Sequence, residues 1–245
     1  MASVVSAERP LVAVVSGASN GIGRATAVAL GARGMHVWLV GRDVVRLEQT
    51  AEAVRAAHED ARAHPCVADL TVRAEVDALA ARLLAAGDEL AVLVHAAGVA
   101  QATTSAASAA DDFDAHHLIN VRAPMQLTEA LLPLVRRARG AVVVVNSMSA
   151  LQVAAGFAGY ASSKAAARSW ADVLRAEEAL RGVRVCSVYP AQVATDMQEA
   201  IVRARGGTYD PGSMLQASDV ADLVGYVVDH PWIELADVTV RRAKD

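Results

Sequence analysis

Along the chain, apolar residues fall into short, nearly continuous runs, separated by longer alanine-rich stretches in which they recur every three or four positions. The short runs predict strands at 11–16, 36–41, 64–68, 90–95, 141–147, 183–190 and 236–240. The longer stretches predict helices at 22–33, 44–60, 72–86, 111–138, 159–181 and 217–229. Strands apolar on both sides belong to a parallel sheet covered on both faces, and their alternation with helices is the rhythm of a doubly wound α/β domain. Gly34, Gly87, Gly140 and Gly182 each stand where a helix hands over to a strand, where a left-handed residue is wanted. No linker or repeat interrupts the pattern, so the 245 residues read as one domain, 1–245, built on a sheet of about seven strands. The least regular stretch, 191–216, has a short helical pattern at 196–205 followed by Gly-Gly and Asp-Pro-Gly turns, and is expected to form a flap over a site.

Composition narrows the function classes. An apolar share of 54% fits a well-buried core, and a formal charge of −4 with scattered Lys and Arg leaves no basic footprint for nucleic acid. No apolar run approaches the roughly 18 residues of a membrane span, and the opening residues lack a signal-type pattern, so a soluble, cytoplasmic protein is expected. Cys66 and Cys186 lie far apart in apolar segments, as reduced core thiols would. His116 and His117 have no second ligand cluster at a plausible spacing; they are expected to be solvated on an Asp-rich helix start, and no metal is assigned.

Two stretches carry candidate chemistry. After the first strand comes SGASNGIGRA, with Gly17, Gly21 and Gly23 opening a helix. Without Cβ atoms in the way, backbone N–H groups and a helix N-terminus can approach a pyrophosphate; the alternative is a tight strand-to-helix turn. Far downstream, Tyr160 and Lys164 stand one helical turn apart in YASSK. Read alone, the pair is either catalytic or an amphipathic helix start with a packed ring and a snorkelling ammonium.

Together these motifs resemble the short-chain dehydrogenase/reductase family over nearly the whole chain. Ser147, thirteen residues before Tyr160, and Asn120, forty before it, match the family spacing. The resemblance implies a single-domain Rossmann fold with a dinucleotide-binding half (about 10–110) and a catalytic and substrate half (about 111–245). It implies Tyr160 as general acid/base, Ser147 orienting the substrate oxygen, Lys164 tuning the phenol and binding the nicotinamide ribose, and Asn120 helping to hold a relay water. The other reading of Asn120 is that it satisfies neighbouring backbone. A free tyrosine is ionised in only about one molecule in a thousand at pH 7, so Lys164 and an oxidised nicotinamide are expected to favour the phenolate.

The resemblance extends the cofactor set to Gly17, Ser19, Asn20, Gly21, Ile22, Gly23, Arg42, Asp69, Leu70, Ala97, Gly98, Pro190, Val193 and Thr195. Arg42 directly follows the second strand, where NADP-preferring relatives carry an arginine; its alternative is pairing with a surface acid such as Asp43. NADP is therefore expected over NAD. Asp69 matches a family aspartate at the adenine, with a helix cap before TVRAEV as the alternative. Two departures stand out. His95 and Ala96 replace the usual Asn-Asn, which is expected to cost backbone-bracing hydrogen bonds, and Ala191 replaces a glycine. Leu151, Phe157, Met197, Ile201 and Tyr209, with Ser147, are expected to line a pocket apolar enough for a neutral carbonyl of moderate size, or the corresponding alcohol. The alternatives are an NAD-preferring alcohol dehydrogenase and a dinucleotide-binding sensor without turnover. The helices at 111–138 and 159–181 resemble those of the family's dimer contact, implying a homodimer or homotetramer.

Overall fold

The strands β1 (Val12–Ser16), β2 (His36–Gly41), β3 (Arg62–Val67), β4 (Leu90–His95), β5 (Ala141–Val145), β6 (Arg184–Pro190) and β7 (Asp237–Val240) form one sheet. Its order is β3-β2-β1-β4-β5-β6-β7, and every neighbouring pair is parallel. A computed structural model describes residues 10–87, 89–103, 106 and 110–243. The helices are α1 (Gly21–Gly31), α2 (Val44–Ala57), α3 (Arg73–Ala86), α4 (Ala110–His117), α5 (Ala123–Ala138), α6 (Ala158–Glu178), α7 (Asp196–Ala204) and α8 (Ala217–Asp229).

Side chains alternate across the sheet, and both sides of its central strands are dry. From β1, Ala13 and Val15 join one core with α1, α2 and α8, whereas Val12 and Val14 join the other with α3, α5 and α6. This is why the strands read as unbroken apolar runs. The chain winds outward from β1 to β3 and then returns to β4 on the other side of β1. The crevice at the carboxyl ends of β1 and β4 is the topological switch point, where ligands of such sheets bind.

Three expectations need correction. First, β3 begins at Arg62 rather than 64, and its Pro65 is tolerated because β3 is an edge strand. Second, Gly87 and Gly182 do end helices in the left-handed conformation, with φ of 69° and 75°, but Gly140 does not. Arg139 takes that conformation at the end of α5 (φ 48°). Gly140 is needed for proximity instead: a Cβ there would overlap the Leu90 carbonyl oxygen and lie 2.7 Å from that of Ala91.

Third, 111–138 is not one helix. A π turn, Leu118–Arg122, separates α4 from α5. In a regular α-helix Pro124 would have to donate to the Asn120 carbonyl, but it has no N–H and its ring would crowd that oxygen. The wider turn relieves the conflict and places Asn120 at its middle, where such bulges often carry function. No helix of the described residues is long and apolar enough to cross a membrane.

Candidate active site

Two clefts meet at the carboxyl edge of the sheet. The first is walled by the loop after β1, the ends of β2, β3 and β4, and the start of α7. Of the residues predicted to hold a cofactor, Gly17, Ser19, Asn20, Gly21, Ile22, Arg42, Asp69, Leu70, Ala97, Gly98 and Thr195 line it. Gly23 lies beneath the loop, where a Cβ would overlap the Gly17 carbonyl. Gly17 (φ 69°) packs so closely on the next turn that a Cβ would sit 2.7 Å from Ala97 N. Asn20 caps α1 by accepting from Gly21 N at 2.7 Å. The remaining first-turn N–H groups of α1 have no helical partner, so the loop offers an anion a bare, donor-rich cradle. These residues fit the pyrophosphate of a dinucleotide.

The turn after β4 keeps its bracing despite the departures at 95 and 96. Ser16 Oγ accepts from both Ala96 N (3.1 Å) and Ala97 N (3.2 Å). His95 turns inward and shares a 2.7 Å hydrogen bond between its Nε2 and Thr128 Oγ. Burial pushes its pKa down to about 3, so the imidazole stays neutral.

At the rim of this cleft Asp43 caps α2 through Arg46 N (3.0 Å) and faces the Arg46 guanidinium at 3.5 Å. Arg42 is left on the cleft wall. Asp69 does not cap α3, whose cap position is Val72. Its carboxylate instead accepts from Thr71 N (2.9 Å) and Thr71 Oγ (2.8 Å), bonds that hold it below the usual carboxylate range.

The second cleft is lined by Ser147, Phe157, Tyr160, Pro190, Val193, Met197 and Ile201, all named from the sequence. It shares Ile22, Thr195 and Met197 with the first, so the two are adjoining chambers. Leu151 lines a separate hollow against the start of α6, and Tyr209 lines neither chamber. α7 contributes Gln198 and Val202, and the residue that follows it is Arg205, which also lines the chamber; the sequence reading passed over all three. The signal was present: extending the helical period from Met197 and Ile201 reaches Arg205 on the same face.

Tyr160 sits in the first turn of α6 and lines the same chamber as Ser147. Burial pushes the phenol above its ordinary value, and the nearby Ser147 hydroxyl opposes that push. Lys164 is buried behind it, with Nζ 5.9 Å from the Tyr160 ring centre and donating to the Val145 carbonyl at 3.0 Å. Burial pushes its pKa down to about 8. In the polypeptide alone burial raises the phenol; the expectation that Lys164 and an oxidised nicotinamide together favour the phenolate concerns the cofactor-loaded protein.

Asn120 is buried and committed on all sides. Its Oδ1 accepts from Val99 N (2.9 Å), and its Nδ2 donates to Val99 O (3.0 Å) and to Ser163 Oγ (2.9 Å). The alternative role, satisfying backbone, is what this side chain performs, across 21 residues rather than within its own helix. Asn146, which the sequence reading missed, has a parallel task. Its Oδ1 accepts from Ser147 N (2.9 Å) and its Nδ2 donates to Lys164 O (3.2 Å), fixing Ser147 against the Tyr160–Lys164 helix.

His116 is buried rather than solvated. Its Nδ1 bonds the Asp112 carbonyl (2.7 Å), its Nε2 accepts from Gln101 N (3.1 Å), and its ring meets Tyr160 edge-on at 6.2 Å. His117 Nδ1 bonds the Phe113 carbonyl at 3.0 Å. Cys66 and Cys186 are buried free thiols.

Comparison with known proteins finds relatives of the same fold. Residues 11–206 match the family model described as short chain dehydrogenase. An uncharacterized oxidoreductase of Staphylococcus epidermidis is 29% identical over 232 residues, covering 94% of this chain and 96% of that protein. An uncharacterized short-chain type dehydrogenase/reductase of Sinorhizobium fredii is 30% identical over 233 residues, covering 93% and 88%. Among solved structures, a metagenomic short-chain oxidoreductase in complex with NADP superposes with a TM-score of 0.79 at 29% identity, covering 96% of this chain and 98% of that one.

Proposed function

The chain belongs to the short-chain dehydrogenase family, and from that premise we propose that it is an NADP(H)-dependent oxidoreductase interconverting a carbonyl and an alcohol, with Tyr160 as the general acid/base. The observation that carries the reading is that Ser147 and Tyr160 stand together on the wall of a chamber that opens into the glycine-loop cleft. A substrate oxygen placed there meets two hydroxyls, one to orient it and one to exchange its proton. The nicotinamide, when bound, supplies or accepts the hydride at the substrate carbon.

The remaining groups serve that exchange. In reduction Tyr160 protonates the nascent alkoxide, and its raised pKa keeps the proton in place until the oxygen becomes basic. Ser147 donates to whichever of the two oxygens carries charge. Lys164 keeps a positive charge behind the phenol below a pH of about 8 and offers donors toward Gly98, whose Cβ position lies 3.8 Å from Nζ, on the side where a nicotinamide ribose would lie. Asn120 and Asn146 hold these groups in register through backbone bonds.

Two observations favour NADP over NAD. Asp43 is occupied by Arg46, leaving the Arg42 guanidinium on the cleft wall for a 2′-phosphate, and the metagenomic relative at 29% identity is an NADP complex. A pure dinucleotide sensor is disfavoured because it would need no proton donor beside the cleft. The exposed Phe113 and Met125 on α4 and α5 support self-association through those helices, which sedimentation equilibrium tests. The direct test of function is a panel of aldehydes, ketones and alcohols with NADPH or NADP⁺, followed by nicotinamide absorbance. Turnover of some members with the phosphorylated cofactor is expected. Turnover confined to NAD(H) would overturn the cofactor assignment.

A further inference from the structure

Arg205 follows the last turn of α7 and lines the substrate chamber. Its guanidinium lies over the Phe157 ring, 5.4 Å from the centre, and Phe157 in turn lies 6.2 Å from the Tyr160 ring. A cation–π contact uses none of the N–H donors, so those of Arg205, an exposed side chain, stay available to an oxyanion. Those donors make no hydrogen bond or ion pair to protein among the described residues. Arg203, two residues before, pairs with Glu199 instead. Among the described residues lining the chamber there is no Asp or Glu, and Arg205 is the one cation. Gln192 and Gln198 add amides to the same wall. A guanidinium held over an aromatic ring whose donors the protein leaves unused, in a chamber that holds no opposing charge, is complementary to a negative ligand.

We propose that the substrate is an oxo acid or hydroxy acid whose carboxylate lies several bonds from the reacting carbon and is held by Arg205. The proposal rests on the reading of Tyr160 as the proton donor, which fixes the reacting end of the chamber. The Phe157 ring fills the space between the two ends and suits an alkyl or aryl spacer. Arg205 acts on binding and orientation, and Tyr160 and Ser147 on chemistry.

The test compares ω-oxo carboxylates of graded length with their methyl esters, using NADPH-loaded enzyme. At one length or more the acid should exceed its ester in kcat/KM by about tenfold or more, as a charge-assisted pair implies. The advantage should shrink as salt is raised. Arg205→Ala should bring the acid-to-ester ratio near one, and Arg205→Glu should invert it. Arg203→Ala, which changes the net charge equally, should leave the ratio as it was. Equal rates for acid and ester in the parent, or a ratio lost equally in Arg203→Ala, would overturn the proposal. Calorimetric binding of the same acids and esters to the NADP⁺-loaded protein separates this failure from that of the catalytic reading. Should no member turn over, preferential binding of the acid, abolished by Arg205→Ala, still supports the carboxylate site. Equal binding of acid and ester removes it.

Discussion

The carboxylate of Asp196, in the first turn of α7, accepts a 2.7 Å hydrogen bond from Asn20 Nδ2, and Arg46 reaches the same oxygen at 3.3 Å. One side chain thus ties α7 to the glycine loop and to α2 across the mouth of the first cleft. The clasp is exposed and worth little to overall stability. Its effect should be kinetic: Asp196→Ala is expected to speed NADPH dissociation by about two- to tenfold while shifting stability by less than about 1 kcal/mol. Stopped-flow cofactor fluorescence measures the rate, and an unchanged rate would show that the contact does not gate the cleft.

Lys164 gives a stability prediction with a definite pH window. Its folded pKa of about 8 lies below the ordinary 10.5, so the folded state disfavours the ammonium. Between those values the unfolded chain binds more protons, and stability rises with pH; below about 8 the burial penalty is fully present. Lys164→Met should therefore be more stable than the parent at pH 7, by about 1–3 kcal/mol, less what the Val145 carbonyl loses with its donor. The gap should narrow from pH 8 to 10. Above pH 10 the raised Tyr160 acts in the opposite sense, because the unfolded phenol ionises first and both proteins lose stability. Denaturant titrations across this range check the sign; a Lys164→Met protein less stable at pH 7 would refute it.

Two glycines separate backbone strain from steric overlap. Gly87 has φ 69° with open space around its Cβ position, so Gly87→Ala should cost about 1–2 kcal/mol from left-handed strain alone. Gly140 is not left-handed, yet Gly140→Ala would drive a methyl into the Leu90 and Ala91 carbonyls and should cost more, about 3 kcal/mol or above. At about 2–4 °C per kcal/mol, calorimetry resolves the two. Equal melting temperatures would mean that the β4–β5 edge yields freely.

The sheet was legible because its central strands are dry on both faces, a pattern that few other arrangements produce, whereas the edge strands β3 and β7 are partly exposed. The proposed reacting residues were legible because Ser147, Tyr160 and Lys164 are chemically conspicuous at fixed spacings. Other features hide for physical reasons. The π turn at Asn120 keeps the apolar period of a helix, and only Pro124 marked it. Asn146 works entirely through main-chain groups, which no spacing of side-chain types reveals. Arg205 reads as an ordinary solvated charge until Phe157, 48 positions earlier, is seen beneath it. Leu151 looked suitable for the pocket because it is apolar and near Ser147, but the turn at Met148–Ala150 carries it to another hollow.

The central claim is that one phenol moves the proton. Tyr160→Phe removes only that oxygen and keeps the ring against Phe157 and His116. Measured with a substrate that the parent reduces, and with NADPH binding shown to be intact, the variant should lose about 10²- to 10⁴-fold in kcat. Turnover within about twofold of the parent would contradict the account and leave the adjoining chambers with a different chemistry.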